Sequence, residues 1–265
     1  HDVPPALYEK YKSLDVSAAG ADNDDRMARE FAMIENIDQN IGKLVAGLDS
    51  MGETNNTLVI FLHDNGPQWE RYNRGLRGIK GSVYDGGIRT PLFACWPGEI
   101  PPGLRTEAVG QHVDLVPTIL EATGAPAAND IDGTSLMGVF RNQDEGNFDR
   151  SIVVQSHRGD VPVAWHNAMI RRGDWKLVNA SGFGKELKVA PLNLELFNVR
   201  NDPGETTNRA QEHPELVKEL TAEYEAWYQD VGANDPANYI PPAISIGAIQ
   251  EPVILTRQDW RRKAK

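Results

Sequence analysis

A single cysteine, Cys95, stands in the whole 265-residue chain. One thiol excludes a disulfide within the chain and a thiolate zinc cluster. It sits in the apolar run Leu92-Phe93-Ala94-Cys95-Trp96, which predicts a buried, inert thiol rather than a reactive one. Long apolar runs are missing as well. The longest, Leu58 to Leu62 and Leu92 to Trp96, suit buried strands and fall far short of the roughly 20 residues of a membrane helix. Positive charge is scarce: 27 Lys and Arg against 38 Asp and Glu leave a formal charge of −11. That balance argues against a nucleic-acid partner, which calls for a basic stripe, yet it leaves room for a locally positive pocket. No charged-then-apolar leader opens the chain, so its start, His1-Asp2-Val3-Pro4-Pro5, reads as the interior of a longer or processed product.

What is present has the grammar of an α/β layer followed by a smaller α+β unit. Phe31, Ile34, Ile37, Ile41, Leu44, Val45 and Leu48 recur at steps of three and four, predicting a helix over 27–51 that stops at a left-handed Gly52. Thr57 to Leu62 is rich in β-branched and aromatic residues and reads as a strand buried on both faces. Thr90 to Trp96 reads as a second buried strand. Asp114 is placed to cap a helix ending at Gly124, with Pro117 in its first turn. Short strands follow at Ser151–Ser156, Ala168–Arg172, Trp175–Asn179 and Leu194–Val199, the middle pair joined by a hairpin turn at Gly173-Asp174. Pro214 opens a helix with Val217, Leu220, Tyr224 and Trp227 on one face. These elements divide the chain into an α/β part over 1–147, an α+β subdomain over 148–231 and an extended tail over 232–265.

Two stretches could carry chemistry. His63-Asp64-Asn65-Gly66 ends the first strand, where open α/β sheets bind ligands. A carboxylate beside a side-chain amide offers hard oxygen donors suited to Ca²⁺ or Mg²⁺. Spacing alone favours a simple turn, because Asp-Asn-Gly is ordinary turn chemistry. The second stretch, Gly75 to Pro91, is rich in glycine and carries Lys80 and Arg89, which can meet an oxyanion. Its composition alone is equally that of a solvated surface loop. Histidines are scattered: His112 precedes a helix, and His157-Arg158 follows a predicted strand with His166 nearby.

In this order and separation the two stretches resemble the type I sulfatases of the alkaline phosphatase superfamily. The likeness rests on Thr57 to Gly66, then Gly78-Ile79-Lys80-Gly81-Ser82-Val83-Tyr84-Asp85-Gly86-Gly87-Ile88-Arg89-Thr90-Pro91. It continues through Asp114 to Leu120, Asp132 to Leu136, Trp175-Lys176-Leu177, Glu195 to Asn198 and Asn201 to Glu205. The resemblance implies the layered sulfatase fold with a small carboxy-terminal subdomain. It implies Asp64 and Asn65 as metal ligands, for Ca²⁺ or else Mg²⁺, and Lys80 as the group that binds sulfate and offsets charge in the transition state. It also implies His157 and Arg158 as substrate contacts, a sulfated carbohydrate as substrate, and export to the periplasm or outside the cell. Family members carry a cysteine or serine, followed by Pro or Ala and then Arg, that matures to formylglycine. No such motif occurs in this chain, and the family's first pair of metal-binding aspartates lies upstream of the matched region. The expectation is therefore a carboxy-terminal fragment, inactive alone, of a sulfate-ester hydrolase. Two other readings stand beside it: a phosphatase or phosphonate hydrolase of the same superfamily, and a non-catalytic module gripping sulfated glycans through Lys80, Arg89 and Arg158.

Overall fold

The computed structural model describes residues 2–15, 24–69, 71–146, 150–156, 162–182, 192–232, 235 and 238, together with a strand pair at 243–244 and 253–254. The first part opens with two helices, α1 (Pro5–Lys12) and α2 (Asp24–Ser50). They pack on each other through Tyr11 and Phe31, whose rings lie 5.6 Å apart, and through a 2.7 Å ion pair between Lys10 and Glu35. Beyond α2, Gly52 takes φ 74° and Glu53 donates its N–H to the Leu48 carbonyl, the left-handed stop that the sequence implies.

Strand β1 (Val59–Leu62) follows, then helix α3 (Asp85–Ile88) and strand β2 (Leu92–Cys95). β1 pairs antiparallel with β2, Phe61 opposite Phe93. Alternation along the pleat splits this ribbon into two faces. On one face Ile60 and Ala94 pack against Leu136, Met137 and Phe140, the last two from helix α5 (Met137–Phe140). On the other, Phe93 is 64% exposed and Cys95 is exposed. The expectation of strands buried on both faces, with an inert interior thiol, is therefore corrected. An apolar run signals that a face can be buried, while only tertiary packing supplies the cover, and among the described residues this face has none. Helix α2 behaves likewise: Met27, Ala28 and Ala32 near its start are buried, yet Ile34, Ile37, Leu44 and Val45 further along are exposed.

Helix α4 (Leu115–Thr123) ends at Gly124 with φ 67°, as expected. Its start differs. Asp114 makes no side-chain cap to α4. Its carboxylate instead accepts the Gln111 and Thr134 N–H groups and both terminal nitrogens of Arg150, at 2.5 and 2.6 Å. Burial by itself would raise the Asp114 carboxyl, but the Arg150 and backbone hydrogen bonds outweigh it and hold the carboxyl below its ordinary range.

Four strands then form a meander in the order β3 (Ser151–Gln155), β4 (Ala168–Arg172), β5 (Trp175–Asn179) and β6 (Glu195–Asn198). The β4–β5 turn is the tight hairpin at Gly173-Asp174, with Arg172 opposite Trp175. One sheet face carries Ala168, Ile170, Leu177 and Leu196 against Leu220, Tyr224 and Tyr228 of helix α6 (Pro214–Asp230). The other carries Ile152, Met169, Val178 and Phe197 against Val83 and Tyr84. The small sheet is thus wedged between α6 and the glycine-rich loop. Most of 232–265 lies outside the described residues; its described part includes the antiparallel pair β7 (Ala243–Ile244) and β8 (Val253–Ile254).

Candidate active site

The glycine-rich loop lies directly against the end of β1, backbone on backbone. Gly66 donates to the Gly87 carbonyl at 2.8 Å, and Lys80 donates its N–H to the Pro67 carbonyl at 2.8 Å. The contact leaves no room for side chains. A Cβ on Gly66 would lie 1.9 Å from the Gly86 carbonyl oxygen, and one on Gly86 would lie 2.2 Å from that of Gly78. Glycine is therefore required at Gly66 by the seam itself, and at Gly86 where the loop folds against its own backbone. The main chain of Lys80 is thus one hydrogen bond from Pro67, three residues beyond Asp64.

The side chains expected to do chemistry stand open at this seam. Asp64 and Lys80 are both exposed, and neither has an ion-pair partner among the described residues. Asn65 is half-buried and its amide nitrogen donates to the Gly66 carbonyl at 2.8 Å, a bond that does not use the side-chain oxygen, the atom a hard cation takes. Arg89, a second candidate for an oxyanion, leans toward Asp85 at 3.9 Å. Among the described residues no cluster of three or more His, Cys, Asp or Glu is placed to hold a metal. Asp64 and Asn65 fit a Ca²⁺ or Mg²⁺ ion in donor type, both being hard oxygens, but supply two of the about six to eight that Ca²⁺ prefers. His157 and Arg158 lie outside the described residues.

Behind the loop sits an ionic cluster that sequence reasoning missed. Lys176, fully buried on β5, places its ammonium 2.6 Å from Asp85 and 2.9 Å from Glu205. Glu205 also accepts the Asp85 N–H at 2.7 Å. Burial raises the Glu205 carboxyl above its ordinary value, with Lys176 pulling the other way. Alongside, Arg77 stacks its guanidinium 3.8 Å above the Tyr84 ring and donates to the Glu205 carbonyl at 2.9 Å. Tyr84 in turn hydrogen-bonds Glu195, and burial with that carboxylate pushes its phenol upward. The only sequence signal for this cluster was a charged residue inside an otherwise apolar strand, Trp175-Lys176-Leu177.

Comparison with known proteins agrees with this architecture. The family model described as Sulfatase matches residues 1–125, and the one described as N-sulphoglucosamine sulphohydrolase, C-terminal, matches 79–230. The chain belongs to the sulfatases. A protein named Sulfatase from Formosa agariphila is 30% identical over 84% of this chain and 42% of its own length. An N-acetylgalactosamine-6-O-sulfatase from Bacteroides thetaiotaomicron is 28% identical over 71% of this chain and 40% of its own. The crystal structure of Ps i-CgsB in complex with k-i-k-neocarrahexaose superposes with a TM-score of 0.68 at 26% identity, covering 85% of this chain and 46% of that one. This sulfatase chain therefore spans less than half the length of these relatives. The layered fold with its small sheet is that of the type I sulfatases, as the sequence resemblance implied.

Proposed function

We infer that this chain contributes the metal-binding pair Asp64–Asn65 and the sulfate-binding Lys80 of a sulfate-ester hydrolase acting on a sulfated carbohydrate. The observation that carries this reading is the backbone seam that sets Lys80 beside the end of β1, with Asp64 and Lys80 both exposed there. The names of the relatives, an N-acetylgalactosamine-6-O-sulfatase and a structure holding an oligosaccharide, support the sugar class.

A sulfate ester brings negative oxygens, and charge builds on the leaving oxygen as the S–O bond breaks. A divalent cation, Ca²⁺ or Mg²⁺, supplies Lewis-acid stabilisation of those oxygens when bound. Asp64 and Asn65 offer it two hard donors, and the Lys80 ammonium holds a sulfate oxygen and offsets charge in the transition state. The glycine seam fixes the Lys80 main chain so that this cation costs little reorganisation. His157 and Arg158 are proposed to contact the sugar. No residue of this sequence provides the formylglycine motif, so the isolated chain binds without turning over. Export to the periplasm or the medium belongs to the same proposal, and no helix among the described residues is long and apolar enough to cross a membrane.

Calorimetric titration of the chain with inorganic sulfate, with and without Ca²⁺, tests the reading. Sulfate binding should be weak and cation-dependent, and Lys80→Ala should weaken it about tenfold or more, as expected for losing a charge-assisted hydrogen bond. Asp64→Ala should abolish the cation dependence. Sulfate retention that ignores chelator would identify a glycan-binding module instead, and a preference for phosphate would favour a phosphatase. Turnover of an aryl sulfate by the chain alone would overturn the claim that it is inactive.

A further inference from the structure

The turn before β4 holds two residues in the left-handed backbone region, Trp165 at φ 59° and Asn167 at φ 47°. Such strain costs about 1–3 kcal/mol per residue and persists only where the surroundings over-determine it. Here they do. Trp165 donates its N–H to the Tyr224 hydroxyl at 2.9 Å, and that hydroxyl donates to Gln155 at 2.9 Å. Asn179 donates to the Trp165 carbonyl at 2.5 Å, Gln155 to the Val163 carbonyl at 2.8 Å, and the Asn167 N–H to Ser181 Oγ at 2.7 Å. This network fixes where the Asn167 side chain points.

Asn167 is buried at 1% exposure and spends both amide hydrogens on backbone. Its Nδ2 donates to the Gly81 carbonyl and to the Ser156 carbonyl, each at 2.9 Å, and the Ser156 N–H returns to the Asn167 carbonyl at 3.0 Å. Gly81 directly follows Lys80 and itself takes φ 88°, a conformation with wide freedom unless anchored. The N–H of Lys80 is tied to Pro67 on the other side. Lys80 therefore hangs between two anchors, one on the strand end that carries Asp64 and one on the small sheet.

We propose that Asn167 is a positioning residue for Lys80, clamping the glycine-rich loop to the end of β3 so that the ammonium is held at a fixed place beside Asp64 and Asn65. Asn167 touches no substrate; it acts through Lys80, and the proposal rests on the reading of Lys80 as the sulfate-binding group. The informative variants are Asn167→Asp, which keeps the shape and tolerates the left-handed backbone but loses both donors, and Asn167→Gly, which relieves the backbone strain and removes the side chain. The chain is titrated separately with inorganic sulfate and with Ca²⁺. Both variants should weaken sulfate about tenfold while Ca²⁺ affinity stays within about twofold. Equal weakening of both probes, or of neither, overturns the proposal. Amide hydrogen exchange decides it even if wild-type chain binds no sulfate, a result that would count against the Lys80 reading alone. Exchange over 79–82 should quicken in the variants while β5 stays protected, and unchanged protection over 79–82 would refute the clamp.

Discussion

Gly66 is the residue on which the seam turns. The β1 end and the glycine-rich loop meet so closely that an added methyl has carbonyl oxygen, not a yielding side chain, in its way. Gly66→Ala is expected to destabilise the chain by about 1–3 kcal/mol, the range for forced overpacking, read as a lowered urea midpoint with unchanged slope. The sequence marked Gly66 as part of an ordinary Asp-Asn-Gly turn at the end of the first strand. That it must also admit a second backbone could not be read there, because the partner, Gly86, comes from the other stretch. Asp64, Asn65 and Lys80 were legible as residue types and by their order. Asn167 was not: a buried asparagine in a left-handed turn has no local signature, and its Gly81 partner lies 86 positions away.

Among the elements, β5 does two jobs because its side chains alternate. Leu177 enters the core beneath α6, whereas Lys176 and Val178 face the loop. Lys176 sits between two carboxylates and weakens their repulsion in a dry site, and this joins α3 to the small sheet. Breaking a buried pair by removing one partner is costly because the remaining charge is left uncompensated. Lys176→Ala should therefore cost about 3–5 kcal/mol at neutral pH by urea denaturation. The sign of its pH dependence follows from Glu205. Burial already raises that carboxyl in the folded state, and deleting Lys176 removes the group that lowers it. A folded-state value above the unfolded one means protonation favours the fold, so the variant should regain stability as pH falls toward the ordinary glutamate range and lose it again as pH rises.

At the scale of the molecule, the four-stranded sheet and the β1–β2 ribbon differ in how they are covered among the described residues. The four-stranded sheet is packed on both faces, by α6 and by the loop, whereas β1–β2 is a ribbon with Phe93 and Cys95 exposed. A two-stranded ribbon with one open face is the less stable kind of sheet. Amide exchange should thus be markedly faster across 59–62 and 92–95 than across 168–172 and 175–179, and equal protection would show that the ribbon is covered in solution.

The sequence by itself determined α2, α4, α6 and strands β1 to β6 in their order, the stops at Gly52 and Gly124, the tight hairpin at Gly173-Asp174 and the sulfatase likeness, but not the short helices α1, α3 and α5 or the β7–β8 pair. The elements and turns are written in residues a few positions apart, where periodicity and turn chemistry act, and the likeness in short runs whose order and spacing along the chain can be read directly. Only the tertiary structure decided which apolar faces find cover, that Asp114 turns to Arg150 instead of capping α4, and that Lys176, Asp85 and Glu205 meet. The reason is distance along the chain: the bonds from Lys176 to Asp85 and from Asp85 to Glu205 join residues 91 and 120 positions apart, and nothing local encodes such a meeting.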